Sequence, residues 1–477
     1  MSTTPSHLHG PLGFAKARHE GTSYMVENRP YVPSLFVDLK DEASIVKAAK
    51  VILSYYHAGG IKADAESESI NSTYKEKVSI MSGGLTNALF MVQIMNNDAT
   101  TVLVRVFGAE GMIDRDKETT NFARLCNAKG SVVHSQLDCL GRFGNGRVET
   151  LIPNMRAATL CDLRENEDLV VEVTRQMARL HHGFGMPEYL LEVDTTVCGG
   201  EGRDYCCKPV LWDVLASWND ELIANISQAC SKDLRLVDIF VSSLFGDTLR
   251  LNPIMKEDDD NCKNEAIMLA EIMSLIAQQL TRETRWLQDY ISEHHPDAPI
   301  AFCHNDINAA NILINDGSNV FDKDSVAMID FEYGASNYAM YDLSNFICEH
   351  CGGNDNGIPD YSLMPSLEMQ RKLVQVYIHE RNTMLDSSAK DIDEYKEVST
   401  FLSQVQTFQM VSHFYWGNWG ILQFAIDLRQ GTHDVEQVKS RLGGEDSDGW
   451  CVLRYGKNRL ARYRELKKMI ETETNQE

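Results

Sequence analysis

The chain has 477 residues, with 45 Lys and Arg against 69 Asp and Glu, giving a formal net charge of −24. Hydrophobic residues at 43% and charged residues at 24% are ordinary globular composition, which excludes wholesale disorder and a fibrous repeat. The acidity excludes a sequence-independent nucleic-acid binder, which needs Lys and Arg against phosphates, and argues against attachment to anionic lipid.

Residues 1–34 are broken by Pro, Gly and charge and have no basic start followed by an apolar run, so they read as a flexible tail rather than an export signal. An amphipathic helix is predicted over 41–58, with Ile45, Ala48, Ala49, Ile52, Tyr55 and Tyr56 at helical spacing and Gly59-Gly60 as its stop. The period then changes to two, predicting strands at 77–81, 89–95 and 101–107. A helix at 115–127 and strands near 132–140 and 146–152 complete a small antiparallel-sheet lobe over 35–152. From 153 to 477 the chain is mainly helical, with helices predicted at 168–182, 209–226, 264–294, 365–382, 393–428 and 457–472. Within that lobe, 227–263 ends in an acidic run at 257–260 and reads as an exposed insertion. No stretch approaches the ~18 apolar residues of a membrane helix, so no membrane insertion is expected. Twelve cysteines without an export signal are expected as reduced thiols, and the compartment as the cytoplasm. The single CxxC, Cys348 to Cys351, has no second pair beside it and reads as thiols rather than a zinc site.

The densest chemistry lies at 302–332. His304-Asn305-Asp306 is followed by Asn311 and, after two apolar runs around an Asp316-Gly317 turn, by Asp330. A hairpin there brings Asp306, Asn311 and Asp330 to one end, an oxygen-donor set suited to Mg²⁺ and a phosphoryl group. Each of these residues alone is more often structural. The joint order, HxDxxxxN then a strand then IDFE, is that of a protein-kinase catalytic loop and its metal-binding aspartate. Upstream, Ser82, Gly83, Gly84, Thr86 and Asn87 lie between two strands, where small residues let backbone N–H groups approach phosphates; alone, such a loop is an ordinary hairpin turn. Arg105 sits inside an apolar strand, where a charge is costly unless paired, and Glu118 on the next helix is its expected partner. Glu149 to Ile152 is the expected hinge, with backbone groups offered to adenine. The alternative for Arg105 is a surface residue on an edge strand.

The segments FCHNDINAANILI, MIDFEYGASNYAMYDLSNFICEH, SHFYWGNWGIL, VLVRVFG and GRFGNGRVETLIP resemble the choline/ethanolamine kinase family, in family order from about residue 76 to 465. The resemblance implies a two-lobed protein-kinase-like α+β fold and ATP-dependent phosphorylation of choline or ethanolamine, with Mg²⁺. It implies Asp306 as the base, Asn311 and Asp330 as metal holders, and Glu332 as a helper of the second metal or the ammonium. It also places Tyr333, Glu349, Trp416, Trp419 and Tyr455 around the amino alcohol. A quaternary ammonium cannot donate a hydrogen bond, so aromatic faces and carboxylates must hold it, and Trp416 and Trp419, at i and i+3, share a helix face. The alternative is that both tryptophans are ordinary core. Asp342 and Asn345 read as structural or supporting residues. Family members are often dimers, so the resemblance allows a homodimer. The sequence departs from the family in having GNW where GLW is usual, in the poorly matched 227–263 stretch and in the N-terminal tail. Choline is not distinguishable from ethanolamine here. Three other readings remain open: an aminoglycoside- or homoserine-type kinase, a protein kinase, and a kinase-like protein without catalysis.

Overall fold

The computed structural model describes residues 24–57, 75–81, 87–95, 100–108, 113–185, 191–193, 205–246, 262–315, 317, 320–353, 356–384, 394–430 and 452–474. The N-terminal lobe contains β1 (Tyr24–Val26), β2 (Arg29–Val32), α1 (Glu42–His57), β3 (Lys75–Met81), β4 (Asn87–Met95), β5 (Thr100–Phe107), α2 (Arg115–Asn127), β6 (Cys139–Phe143) and β7 (Gly146–Thr150). The strands form one seven-stranded sheet in the order β1-β2-β6-β7-β5-β4-β3. Every neighbouring pair is antiparallel except β2 with β6, so the sheet is mixed rather than wholly antiparallel as expected. The alternation of β5 sends Val102, Val104 and Val106 into a core shared with Ile45, Ala48, Ala49 and Ile52 of α1. Period two then puts Arg105 on the opposite face. This resolves the charge in an apolar strand: Arg105 is buried on the face that looks into the cleft.

Two sequence expectations change in this lobe. The expected tail ends sooner, because Tyr24–Val32 forms a hairpin whose second strand pairs Tyr31 with Arg142, and the Arg142 guanidinium lies 4.8 Å over the Tyr31 ring. The strand predicted near 132–140 begins only at Cys139. Gly130, at φ 84°, opens a turn there, and Val132, Val133 and Leu137 are buried as loop residues in the core of the larger lobe.

The larger lobe starts with β8 (Met155–Ala157), α3 (Leu160–Glu165), α4 (Glu167–Gly183), β9 (Leu191–Val193) and β10 (Tyr205–Cys207). It continues with α5 (Leu211–Lys232), α6 (Leu236–Phe245), α7 (Cys262–His294), β11 (Ile300–Cys303), β12 (Ile312–Asn315), β13 (Val326–Met328) and β14 (Ala335–Tyr338). It closes with α8 (Ala339–Glu349), α9 (Leu367–Met384), α10 (Glu394–Arg429) and α11 (Val452–Thr474). The stretch expected as an exposed insertion is corrected over its described part. There α5 runs on to Lys232, and α6 buries Leu236, Val237, Phe240 and Leu244, with Phe240 set 5.7 Å from Phe424 of α10. The acidic run at 257–260 lies outside the described residues.

Helix α10 is the axis of this lobe. Residues 407–422 are buried on every side, so its sequence shows no amphipathic stripe. It meets α11 at three glycines: a Cβ on Gly420 would come within 2.8 Å of the Gly456 Cα, and one on Gly417 within 2.6 Å of the Leu460 Cγ. Backbone here approaches backbone more closely than any side chain allows. Among the described residues, no helix is long and apolar enough to cross a membrane.

Candidate active site

Strand β11 delivers the chain to His304-Asn305-Asp306, and three anchors then fix the loop. Asp342 of α8 accepts the backbone N–H groups of His304 and Asn305, both at 2.7 Å, and its Oδ2 also accepts from His181 Nε2 at 3.0 Å. His304 Nε2 donates to the Ile329 carbonyl at 2.8 Å, while its Nδ1 accepts from the Asp306 N–H at 3.3 Å. Burial lowers the pKa of this ring and keeps the neutral tautomer that the two bonds need. Asn305 sits at φ 66°, a left-handed conformation that asparagine tolerates better than most residues. Its amide donates to the Tyr333 carbonyl at 2.8 Å and accepts from Asn337 Nδ2 at 2.8 Å.

The predicted hairpin is present as β12 and β13, paired from Ile312 with Met328 to Ile314 with Val326. Its base joins the catalytic loop, because the Ile329 N–H donates to the Asn311 carbonyl at 3.0 Å. Asn311 Nδ2 donates to Asp306 Oδ2 at 3.1 Å and to the Asp306 carbonyl at 2.9 Å, so its amide nitrogen is committed to the catalytic loop. Asn308 Nδ2 donates to Asp306 Oδ1 at 3.1 Å. Burial, and then the charges of Glu349, Glu332 and Asp330, push the Asp306 carboxyl well above its ordinary range. Asp330 follows β13 in a left-handed conformation at φ 63°.

On the sheet side, three guanidiniums interleave with four carboxylates. Arg105 Nε bonds Glu149 Oε1 at 2.8 Å, and its Nη1 bonds Asp330 Oδ1 at 3.1 Å. Arg147, directly across from Arg105 in the sheet, bonds the same Glu149 oxygen and Glu118, each at 2.5 Å. Arg115 bonds Glu118 at 2.7 Å and Glu332 at 3.2 Å. Burial alone would raise Glu118 and Glu149, but the arginines outweigh it, lowering Glu118 and holding Glu149 down to about 2. Oxygens of Glu118, Asp330 and Glu332 lie within 4.8 Å of one another, an all-oxygen donor set that fits a hard divalent cation.

This arrangement corrects two expectations. The Arg105 partner is Glu149 of the neighbouring strand, while Glu118 is taken by Arg147 and Arg115. Glu149 accordingly is no hinge residue, since its backbone lies in the β5–β7–β6 ladder and its side chain serves the arginines. Ile152 is buried in the core of the larger lobe. Asn87 heads β4 and donates to Glu332 Oε2 at 3.0 Å, joining the lobes. Ser82, Gly83, Gly84 and Thr86 lie outside the described residues.

On the far side of Asp306 the predicted aromatic residues come together. Ring centroids are 5.4 Å apart for Tyr333 and Trp416, 5.7 Å for Trp416 and Trp419, and 6.4 Å for Trp419 and Tyr455, each pair near perpendicular. Glu349 closes the set beside Arg459, at 3.4 Å. The loop carrying Asp306 is tied to this set where the neighbouring Asn305 donates to the Tyr333 carbonyl, and the Asp306 charge helps raise the Tyr333, Tyr415 and Tyr455 hydroxyls.

Sequence reading missed Arg115, Arg147 and Arg459. For Arg147 a signal existed: Arg-Val-Glu alternation places Arg147 and Glu149 together, opposite buried Val148. Arg115 and Arg459 sit on helices amid other charged residues and carry no such mark.

The fold is that of solved kinases. A Plasmodium vivax ethanolamine kinase superposes with a TM-score of 0.52 at 18% identity, covering 91% of this chain and 90% of that one. A Cryptosporidium parvum choline kinase gives 0.50 at 19% identity, over 89% and 97%. The molecule therefore has a two-lobed protein-kinase-like fold with an acidic loop, a charged cleft and an aromatic wall. The profile of choline/ethanolamine kinases matches residues 78–464, and the chain belongs to that family. It is 27% identical to probable choline kinase 2 of Arabidopsis thaliana, over 72% of this chain and 77% of that protein. It is equally 27% identical to ethanolamine kinase 1 of Mus musculus, over 72% and 76%.

Proposed function

We propose that the protein transfers the terminal phosphoryl group of ATP to the hydroxyl of choline or ethanolamine, in the cytoplasm, giving phosphocholine or phosphoethanolamine for phospholipid head-group synthesis. The observation that carries this reading is the run of ring contacts from Tyr333, whose carbonyl accepts from Asn305 beside Asp306, through Trp416 and Trp419 to Tyr455. A hydroxyl two carbons from an ammonium can reach the carboxylate while the cation lies against rings and Glu349.

Asp306 orients the substrate hydroxyl and accepts its proton as the oxygen attacks the terminal phosphorus in line. The oxygen–phosphorus bond to the leaving diphosphate breaks, ADP departs, and the proton passes from Asp306 to solvent. Asn311 donates to Asp306 through Nδ2 and would offer its Oδ1, with Asp330 and Glu332, to Mg²⁺. When bound, that ion neutralises charge on the transferring phosphates. Arg105, held by Glu149, sets a fixed positive charge beside Asp330, where phosphate oxygens would lie. Cys126, Cys139, Cys161, Cys230, Cys303, Cys348 and Cys351 are free thiols, as a reducing compartment would leave them.

The test is purified protein with ATP and Mg²⁺, assayed by coupled ADP release on choline, ethanolamine, homoserine and an aminoglycoside. Turnover of choline or ethanolamine is expected. Turnover of homoserine or the aminoglycoside alone would overturn the reading, and no turnover at all would favour a kinase-like binding protein.

A further inference from the structure

Behind the aromatic wall runs a chain of polar groups that the proposed chemistry does not use. Asn345 of α8 donates through Nδ2 to the Ile307 carbonyl at 3.4 Å, one residue beyond Asp306. Its Oδ1 accepts from Trp416 Nε1 and from Ser412 Oγ, each at 2.8 Å. Ser412 Oγ in turn accepts from Arg459 Nη2 at 3.1 Å, and that same nitrogen lies 3.4 Å from Glu349. The Arg459 guanidinium also lies 5.4 Å over the Tyr455 ring. Asn345, Ser412 and Arg459 are each 0% exposed.

A fully buried cation and amide are costly, and apolar packing of similar volume generally stabilises as well or better. Their burial here therefore calls for something other than stability. The donors are also directional: an indole N–H can only donate, so the Asn345 Oδ1 must face Trp416 and its amide nitrogen must face the catalytic loop. One amide thus ties the loop carrying Asp306 to one tryptophan of the wall. One hydroxyl extends the tie to the arginine that holds Glu349 and backs Tyr455.

We infer that Asn345, Ser412 and Arg459 form a positioning relay that sets the ammonium-binding wall at a fixed distance from Asp306. This rests on the amino-alcohol reading. The relay touches the wall and the base loop but not the nucleotide side, so breaking it should act on one substrate only.

The experiment is steady-state kinetics on full-length Ser412→Ala, Ser412→Thr, Asn345→Ala and the Ser412→Ala/Asn345→Ala double variant, with thermal melts of each. Ser412→Ala is expected to raise the amino-alcohol KM by roughly 10-fold and leave the ATP KM within about 2-fold, equivalent to ~1.4 kcal/mol on one substrate. Ser412→Thr keeps the hydroxyl and should restore most of the affinity. The two alanine changes should combine less than additively, because they break one chain. Equal rises in both KM values, additive effects, or a fall in melting temperature with unchanged amino-alcohol KM would each overturn the relay. If the parent protein turns over neither choline nor ethanolamine, the functional reading fails first, and the relay fails with it.

Discussion

Asp306 and Asp330 flank one short hairpin in the sequence and meet at its base, and the proposed mechanism gives each a separate task. Asp306→Ala and Asp330→Ala should each abolish turnover while leaving circular dichroism unchanged; retention of an appreciable rate by either would refute its role. Arg105 belongs to a different regime, because it is buried between Glu149 and Asp330. Arg105→Ala leaves those carboxylates undercompensated, so a stability loss of ~3–5 kcal/mol, read as a lower melting temperature, should accompany an ATP KM raised more than the amino-alcohol KM. An effect on melting alone would make it purely structural. For the wall, Trp419→Leu keeps apolar bulk and removes the ring quadrupole, so choline affinity should fall by ~10-fold, about 1.4 kcal/mol, with ATP affinity nearly unchanged. A sharp fall in melting temperature without loss of choline affinity would make Trp419 plain core. The HxDxxxxN loop was legible in the sequence because all its members are local. The Arg105 partner was not, because it depends on β7 being inserted between β5 and β6, a pairing that no local pattern specifies.

At the scale of elements, the contact of α10 with α11 decides where Tyr455 stands relative to Trp419. The paired tryptophans in WGNWG were readable as one helix face, whereas the reason for the flanking glycines was not. Their partner, Gly456, lies on another helix, and the requirement is for space rather than for a side chain. A Cβ on Gly420 would meet Gly456 Cα at 2.8 Å and Gly456 N at 2.9 Å, neither of which can swing aside. Gly420→Ala should therefore cost roughly 1–3 kcal/mol of stability. It should also weaken amino-alcohol binding by displacing Tyr455, with the ATP KM unmoved. A variant with parental stability and parental kinetics would show that the helices have room to part. Asn418, where the family usually has leucine, turns its amide nitrogen back to the Phe414 carbonyl at 2.8 Å, so the turn of α10 satisfies the donor half of this buried amide and not its Oδ1.

Across the whole molecule, burial of neutral histidines sets the response to acid. Burial lowers His350 to about 4, and lowers His304 and His413 as well. An unfolded histidine titrates near 6.5, so below that pH the unfolded chain binds protons that the folded one refuses, and stability falls as pH falls from about 6.5 towards 4. The cleft carboxylates act later: Glu149, held to about 2, contributes stability that is present above ~4.5 and is lost only as the pH drops towards 2. Melting temperature should thus begin to decline between pH 7 and 6, before any ordinary carboxylate titrates. Asp306, whose carboxyl is raised, works in the opposite sense, so the profile is read in an Asp306→Asn variant, where a flat course down to pH 5 would show that these rings are accessible to protons in the folded state.

The position of β2 at the far end of the sheet has a consequence for how the chain acquires its shape during synthesis. The β3-β4-β5 meander can pair as soon as it emerges, but β2 must wait for β6, more than a hundred residues later, and β6 itself is held by β7. The first described strands are therefore among the last to be seated in this lobe. Until about residue 150 has left the ribosome, the Tyr24–Val32 hairpin has no edge to join and stays open to proteolysis.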